Sequence, residues 1–114
     1  MSDCIFCKIA AGEIPATALY QDDAVFAFAD LNPQAPTHIL VIPKRHIDNA
    51  AAAVDGDEAL LGRLMRAAVK VAEEAGIGES GFRIVANVGP DGGQTVGHLH
   101  LHVLGGRHMG WPPG

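Results

Sequence analysis

Three histidines stand at alternate positions, His98, His100 and His102, separated by Leu99 and Leu101. Near neutral pH an uncharged imidazole serves as nucleophile, general acid or base, or metal ligand. Alternation is the period of a β-strand, whose successive side chains point to opposite faces. The stretch from Gln94 to Leu104 therefore reads as a strand with the three imidazoles on one face. Leu99, Leu101 and Val103 fall on the other, the natural core face. Half of the chain's six histidines lie within these five residues. Exposed strand positions more often carry Thr, Lys or Glu, so chemistry is favoured over a polar face that happens to be histidine.

A second chemical pattern is Cys4-x-x-Cys7, two thiols at a spacing common in zinc sites. Two cysteines cannot close a tetrahedral structural site, and His46 and His98 are the best candidates for the remaining ligands. A pair of small buried residues is the plain alternative, and the βαβ context of a redox Cys-x-x-Cys is missing. A rival arrangement places zinc on the histidine strand. Alternate residues there lie ~6.5–7 Å apart, close enough for two to share one ion. His98 and His102 are twice as far apart, so a three-histidine zinc would also need His38 or His46. The loop Gly92-Gly93-Gln94-Thr95 sets mobile backbone and a hydroxyl just before the histidines, a plausible phosphate cradle beside His100. It carries neither a Walker-type Gly-Lys-Ser/Thr nor a dinucleotide fingerprint. Asp30, at a strand end, suits a ribose hydroxyl or the start of a turn. Asn87 reads on its own as a structural amide.

These residues need a frame. The 114 residues fit one compact domain over 1–114, and 48% hydrophobic with 18% charged residues suffices for a core. The net charge of −5 argues against a nucleic-acid partner. No apolar run reaches the ~18 residues of a membrane span, and no signal-peptide pattern opens the chain. Two cysteines make no disulfide framework, so a cytoplasmic protein is expected. Residues 3 to 12 suggest a short helix capped by Ser2 or Asp3 and ended by Gly12. Thr17 to Tyr20 and Val25 to Asp30 have strand character around the turn Asp22-Asp23. His38 to Ile42 reads as a buried strand that Pro43 ends. Ile47 to Val54 is ambiguous. Asp55 and Glu58 resemble a capping box opening one long helix, with Leu60, Leu61, Leu64, Met65, Ala68, Val71 and Ala72 on its apolar stripe and Gly76 as its stop. Phe82 to Val88 is the next strand. The expected class is α+β, a twisted antiparallel sheet with one long helix on a face and a short N-terminal helix.

With those residues in place the chain resembles the histidine-triad family. His98-Leu99-His100-Leu101-His102-Val103-Leu104 matches its pattern His-φ-His-φ-His-φ-φ, with φ apolar. Ala35-Pro36-Thr37-His38-Ile39-Leu40-Val41-Ile42-Pro43-Lys44-Arg45-His46-Ile47 looks like the family's second signature, and Gly92-Gly93-Gln94 precedes the triad as that family has it. The tail over residues 105–114, with Met109 and Trp111-Pro112-Pro113, looks like the Hint branch, the histidine-triad nucleotide-binding proteins. The resemblance runs from about residue 4 to the end, with the core over 4–104.

The resemblance implies a homodimer that binds purine nucleotides and hydrolyses adenosine or guanosine 5′-phosphoramidates. His100 matches the nucleophile, His102 the histidine near the transferred phosphate, and His38 a supporting histidine behind it. Asp30 matches the ribose-binding carboxylate. Ile5, Phe6, Ile9, Phe28 and Leu31 match the base pocket. Asn87, Gln94 and Thr95 match phosphate and leaving-group contacts, with Gly93 and the tail's Trp111 counted in the same site. Thr95 stands where animal members usually have Ser, and keeps the hydroxyl. Zinc-binding bacterial relatives carry ligands matching Cys4, Cys7, His46 and His98, which implies a structural Zn2+ that catalysis does not need. Two other functions remain open at this point: a nucleotide-binding regulatory module with little catalysis, and a dinucleoside polyphosphate hydrolase.

Overall fold

A computed structural model describes residues 3–114. Its strands are β1 (Tyr20–Gln21), β2 (Val25–Ala29), β3 (Thr37–Pro43), β4 (Phe82–Val85) and β5 (Leu101–Gly105), with helices α1 (Ile5–Ala10) and α2 (Glu58–Glu74). The strands form one antiparallel sheet in the order β1-β2-β3-β5-β4. This is the expected α+β architecture.

Alternation along the central strands gives the sheet two apolar faces. Val25, Ala27, Ile39, Val41, Leu101 and Val103 pack with Leu99 and with Leu64, Ala68, Val71 and Ala72 of α2. Phe26, Phe28, Leu40 and Ile42 face the other way and are covered by Phe6 and Ile9 of α1. A six-residue helix is far below the ~12–15 residues that make an isolated helix even marginal in water, so α1 depends on this packing. Helix α2 stops where Gly76 takes φ +81°, with its N–H on Glu73 O and the next N–H on Ala72 O.

Several local details differ from the sequence expectations. The cap of α1 is Cys4, whose sulfur accepts from the Cys7 N–H; Asp3 is not the cap, and Ser2 lies outside the described residues. The residue opening α2 is Asp57, not Asp55. Its carboxylate accepts from the Val54 N–H and pairs with Arg45, while Glu58 reaches back to the Gly56 N–H. Met65 is exposed and Ala67 takes a buried place instead. The first strand covers only Tyr20–Gln21 and the fourth ends at Val85. The ambiguous segment holds a 3-10 turn at Ala50–Ala52, capped by the Asn49 side chain.

The histidine stretch is a strand only from Leu101 onward. Before it, backbone partners come from outside the ladder: the Leu99 N–H donates to Ile47 O, and the Pro43 and His98 carbonyls are taken by imidazoles. The chain stays extended enough to keep Leu99 and Leu101 on the α2 side, so the alternation of faces survives the loss of the ladder.

Candidate active site and metal centre

Two clusters flank the segment 98–102. The register pairs His38 with Leu104 and Leu40 with His102, so His38 and His102 are diagonal neighbours on the face away from α2. His38 Nε2 lies 2.9 Å from His102 Nδ1. The Gln34 N–H donates to His38 Nδ1 at 3.0 Å. That contact makes Nδ1 an acceptor, so the ring proton of neutral His38 sits on Nε2 and donates to His102 Nδ1. Neutral His102 must then carry its proton on Nε2. Burial, aided by the neighbouring rings of His100 and His38, pushes the His102 pKa down to about 4. Burial lowers that of His38 too, against the opposing pull of Asp30.

His100 has the reverse tautomer. Its Nδ1–H donates to His98 O at 2.7 Å, which leaves the Nε2 lone pair unprotonated. The Phe6 ring stands edge-on to it with centroids 5.2 Å apart. The two histidines thus differ by chemistry as well as position, one presenting a lone pair and the other an N–H.

Both line a cavity of about 510 Å³. Ile5, Phe6, Ile9, Phe28 and Leu31 form its apolar wall, Asp30 and the buried His38 line it too, and Asn87, Gly93 and Thr95 make its loop side. Asp30 accepts from the Asn32 N–H through Oδ1, and its Oδ2 lies 3.3 Å from His38 Nε2. The structure does not bring Gln94 or Trp111 to this cavity. The Gln94 amide is turned to other backbone, and Trp111 is 83% exposed in the single chain. Residues that the sequence reading passed over also line it: Asn32, Gln34, Leu40 and Val96. Leu40 was legible as the residue two beyond His38 on one strand face. Gln34 acts through its backbone N–H, which leaves no mark in residue type.

On the other side of His98 stand Cys4, Cys7 and His46. One donor atom from each lies within 4.8 Å of all the others. Cys4 Sγ and Cys7 Sγ are 3.3 and 3.5 Å from His98 Nδ1, and Cys7 Sγ is 3.2 Å from His46 Nδ1. Each imidazole has its far nitrogen committed: His98 Nε2–H to Pro43 O and His46 Nε2–H to Asp48 Oδ1. Both Nδ1 lone pairs therefore face the thiols. Two sulfurs and two oriented imidazoles fit a closed tetrahedral zinc site, with the outer-sphere acceptors such ligands need. Among the described residues the other candidate group is Asp30, His38 and His102, where the facing nitrogens are already joined by a hydrogen bond.

The HIT domain family model matches residues 11–109, which leaves both cysteines outside the match. The chain is 54% identical over 112 residues to an uncharacterized HIT-like protein of Synechocystis, covering 98% of this chain and 97% of that protein. It is 50% identical over 115 residues to a 14 kDa zinc-binding protein of Zea mays, covering 99% of this chain and 89% of that one. Among solved structures, a HIT family hydrolase from Legionella pneumophila superposes with a TM-score of 0.95 at 53% identity, over 98% of this chain and 100% of that one.

Proposed function

Because the chain belongs to the HIT family, we propose that it hydrolyses purine nucleoside 5′-phosphoramidates, nucleoside monophosphates joined to lysine or another amine, through a nucleotidyl–histidine intermediate. The observation that carries this reading is the tautomer of His100, fixed by its bond to the His98 carbonyl with Nε2 left as a lone pair beside the cavity. His100 Nε2 attacks the α-phosphorus, a P–N bond to the ring forms, and the P–N bond to the amine, whose nitrogen takes a proton from solvent water, breaks as the neutral amine leaves. The imidazolium so formed is stabilised by its Nδ1–H on the His98 carbonyl. His102 donates Nε2–H to a phosphoryl oxygen, and its lowered pKa keeps the ring neutral so that Nδ1 still accepts from His38. Water then attacks the phosphorus, the P–N bond to His100 breaks, the water's proton passes to solvent, and nucleoside monophosphate and neutral His100 result.

The purine lies against Ile5, Phe6, Ile9, Phe28 and Leu31, the ribose hydroxyls on Asp30, and the phosphate and leaving group toward Asn87 and Thr95. Cys4, Cys7, His46 and His98 hold a structural Zn2+. Bound there, the ion cross-links α1 to the segments after β3 and before β5, and so keeps Phe6 beside His100. Four protein ligands leave no open position for a catalytic water. The chain forms one domain over 1–114 with a Hint-type tail at 105–114, and works in the cytoplasm.

The reading is tested by measuring rates on an adenosine 5′-phosphoramidate and on a dinucleoside polyphosphate side by side. A kcat/KM larger by about 10-fold or more for the phosphoramidate is expected, a transition-state difference of about 1.4 kcal/mol. Faster polyphosphate cleavage, or purine nucleotide binding with neither substrate cleaved, contradicts it.

The working unit is proposed to be a two-fold dimer. The outer strand β4 leaves a sheet edge, Met65 and Val69 are exposed one turn apart on α2, and the exposed Trp111 needs cover. In the dimer the tail reaches toward the partner's cavity. Light scattering is expected to give twice the chain mass of 11.9 kDa at micromolar concentration. A stable monomer counts against it.

A further inference from the structure

We propose that Gln94 is a positioning residue that couples the cysteine–histidine metal centre to the loop facing the phosphate. Its side-chain amide joins three segments at once. Nε2 donates to Asp48 O at 2.8 Å and to Val96 O at 3.0 Å. Oε1 accepts from the Gly89 N–H at 2.9 Å and from Asn49 Nδ2 at 3.2 Å. Two donors and two acceptor sites are all an amide has, so none remains for substrate.

Each end of this clamp leads to a functional cluster. Asp48 is the residue whose carboxylate holds His46 Nε2–H, and through it the orientation of a metal ligand. Gly89 opens the loop that ends in Gly93 and Thr95, both on the cavity wall. The loop is already drawn tight: the backbone N–H of Gln94 returns to Gly89 O, Gly93 N–H to Pro90 O, and Asn87 Nδ2 donates to Gly92 O. A Cβ at Gly92 would collide with the Val88 backbone. A loop of one shape transmits a shift at its anchor, because it has no slack to absorb it. The metal thus acts on the substrate loop along His46, Asp48 and Gln94, a route separate from the one through His98 to His100.

The coupling rests on the proposed function only for its kinetic consequence. It is tested first without substrate, on zinc-loaded and chelator-stripped protein, by amide hydrogen exchange at Gly93 and at residue 94, whose acceptors are backbone carbonyls that a side-chain change leaves in place. In the wild-type chain, stripping is expected to speed exchange at both by about 10-fold. In Gln94→Ala exchange is fast with or without metal, and zinc affinity in a chelator competition falls, since a loop that the metal holds also holds the metal. Gln94→Glu keeps the acceptor for Gly89 but loses the donors to Asp48 O and Val96 O, and behaves like Gln94→Ala; it carries the test should the alanine variant not fold. The phosphoramidase kcat of both variants falls by ~10-fold or more with KM changed less than threefold, because the base and ribose walls are untouched. Wild-type exchange at these amides indifferent to zinc, or variants that keep the wild-type metal sensitivity, overturn the proposal. Absent phosphoramidase activity with the exchange and zinc results intact instead overturns the proposed function alone.

Discussion

His100→Ala and His100→Asn are expected to lower phosphoramidate turnover by about 10³-fold or more while the chain stays folded and still binds nucleoside monophosphate. Neither side chain has a lone pair able to attack phosphorus, so the two-step route closes. The fold does not depend on this ring. His100 is buried, yet its polar contact is to the carbonyl of a residue two before it, and its other neighbours are the rings of Phe6 and His102. Asn keeps a polar group within reach of His98 O, so a near-equal loss in both variants separates lost nucleophilicity from lost packing. Because the purine and ribose walls are intact, the loss appears in kcat and not in binding. Near-wild-type turnover in either variant removes His100 as the nucleophile.

Loss of the metal is expected to show mainly in stability. Stripping by a chelator, or Cys4→Ser with Cys7→Ser, removes the tie between a six-residue helix and the rest of the chain. A loss of about 2–3 kcal/mol, modest beside the ~10–16 kcal/mol of zinc binding in small zinc domains, lowers the Tm of a chain this size by roughly 10 °C. Ile5, Phe6 and Ile9 are then less well held, so KM for the purine substrate rises by about 10-fold, and loosening of the loop after Gly89 lowers kcat by no more than the ~10-fold of the Gln94 variants. The sheet, the α2 face and the His38–His102 pair contain no metal ligand, so the remainder stays folded with appreciable turnover. Metal analysis is expected to give one zinc per wild-type chain and none in the double variant. Full zinc in that variant, or stripping that abolishes turnover while the melting curve is unchanged, contradicts the structural assignment.

The framework was legible because its signals are periodic. Alternation around His100 and the shared face of Phe26 and Phe28 oriented their strands, the apolar run from His38 to Ile42 marked a buried one, and the helically spaced stripe with Gly76 as its stop set α2. Strand ends were less legible. Apolar character continues past Val85, but the last pair is Val85 with His102, one residue from the start of β5. The two helix starts were missed for a similar reason: Cys4 caps α1 because its sulfur reaches the Cys7 N–H, and Asp57 opens α2 with its carboxylate turned back to Val54 N–H and Arg45, partners that residue type does not announce.

At the site, the residue types announced a histidine cluster and a thiol pair, while the protons did not. Only the bonds from Gln34 N–H and to His98 O tell that His102 presents an N–H and His100 a lone pair. Gln94 is the sharpest case. Its place between Gly93 and Thr95 suggested a contact with substrate, but an amide faces whichever backbone groups the tertiary fold leaves unpaired, here Gly89, Asp48 and Val96.

The central claim is that a nucleotide becomes covalently bound to His100 during turnover. The direct measurement is intact-mass spectrometry of the enzyme, acid-quenched within the first turnover on an adenosine 5′-phosphoramidate, followed by peptide mapping. A species heavier by one adenylyl group, mapped to His100 and missing in His100→Asn, is the predicted result. Release of nucleoside monophosphate in the first turnover with no adduct at any quench time, or an adduct on His38 or His102, contradicts it.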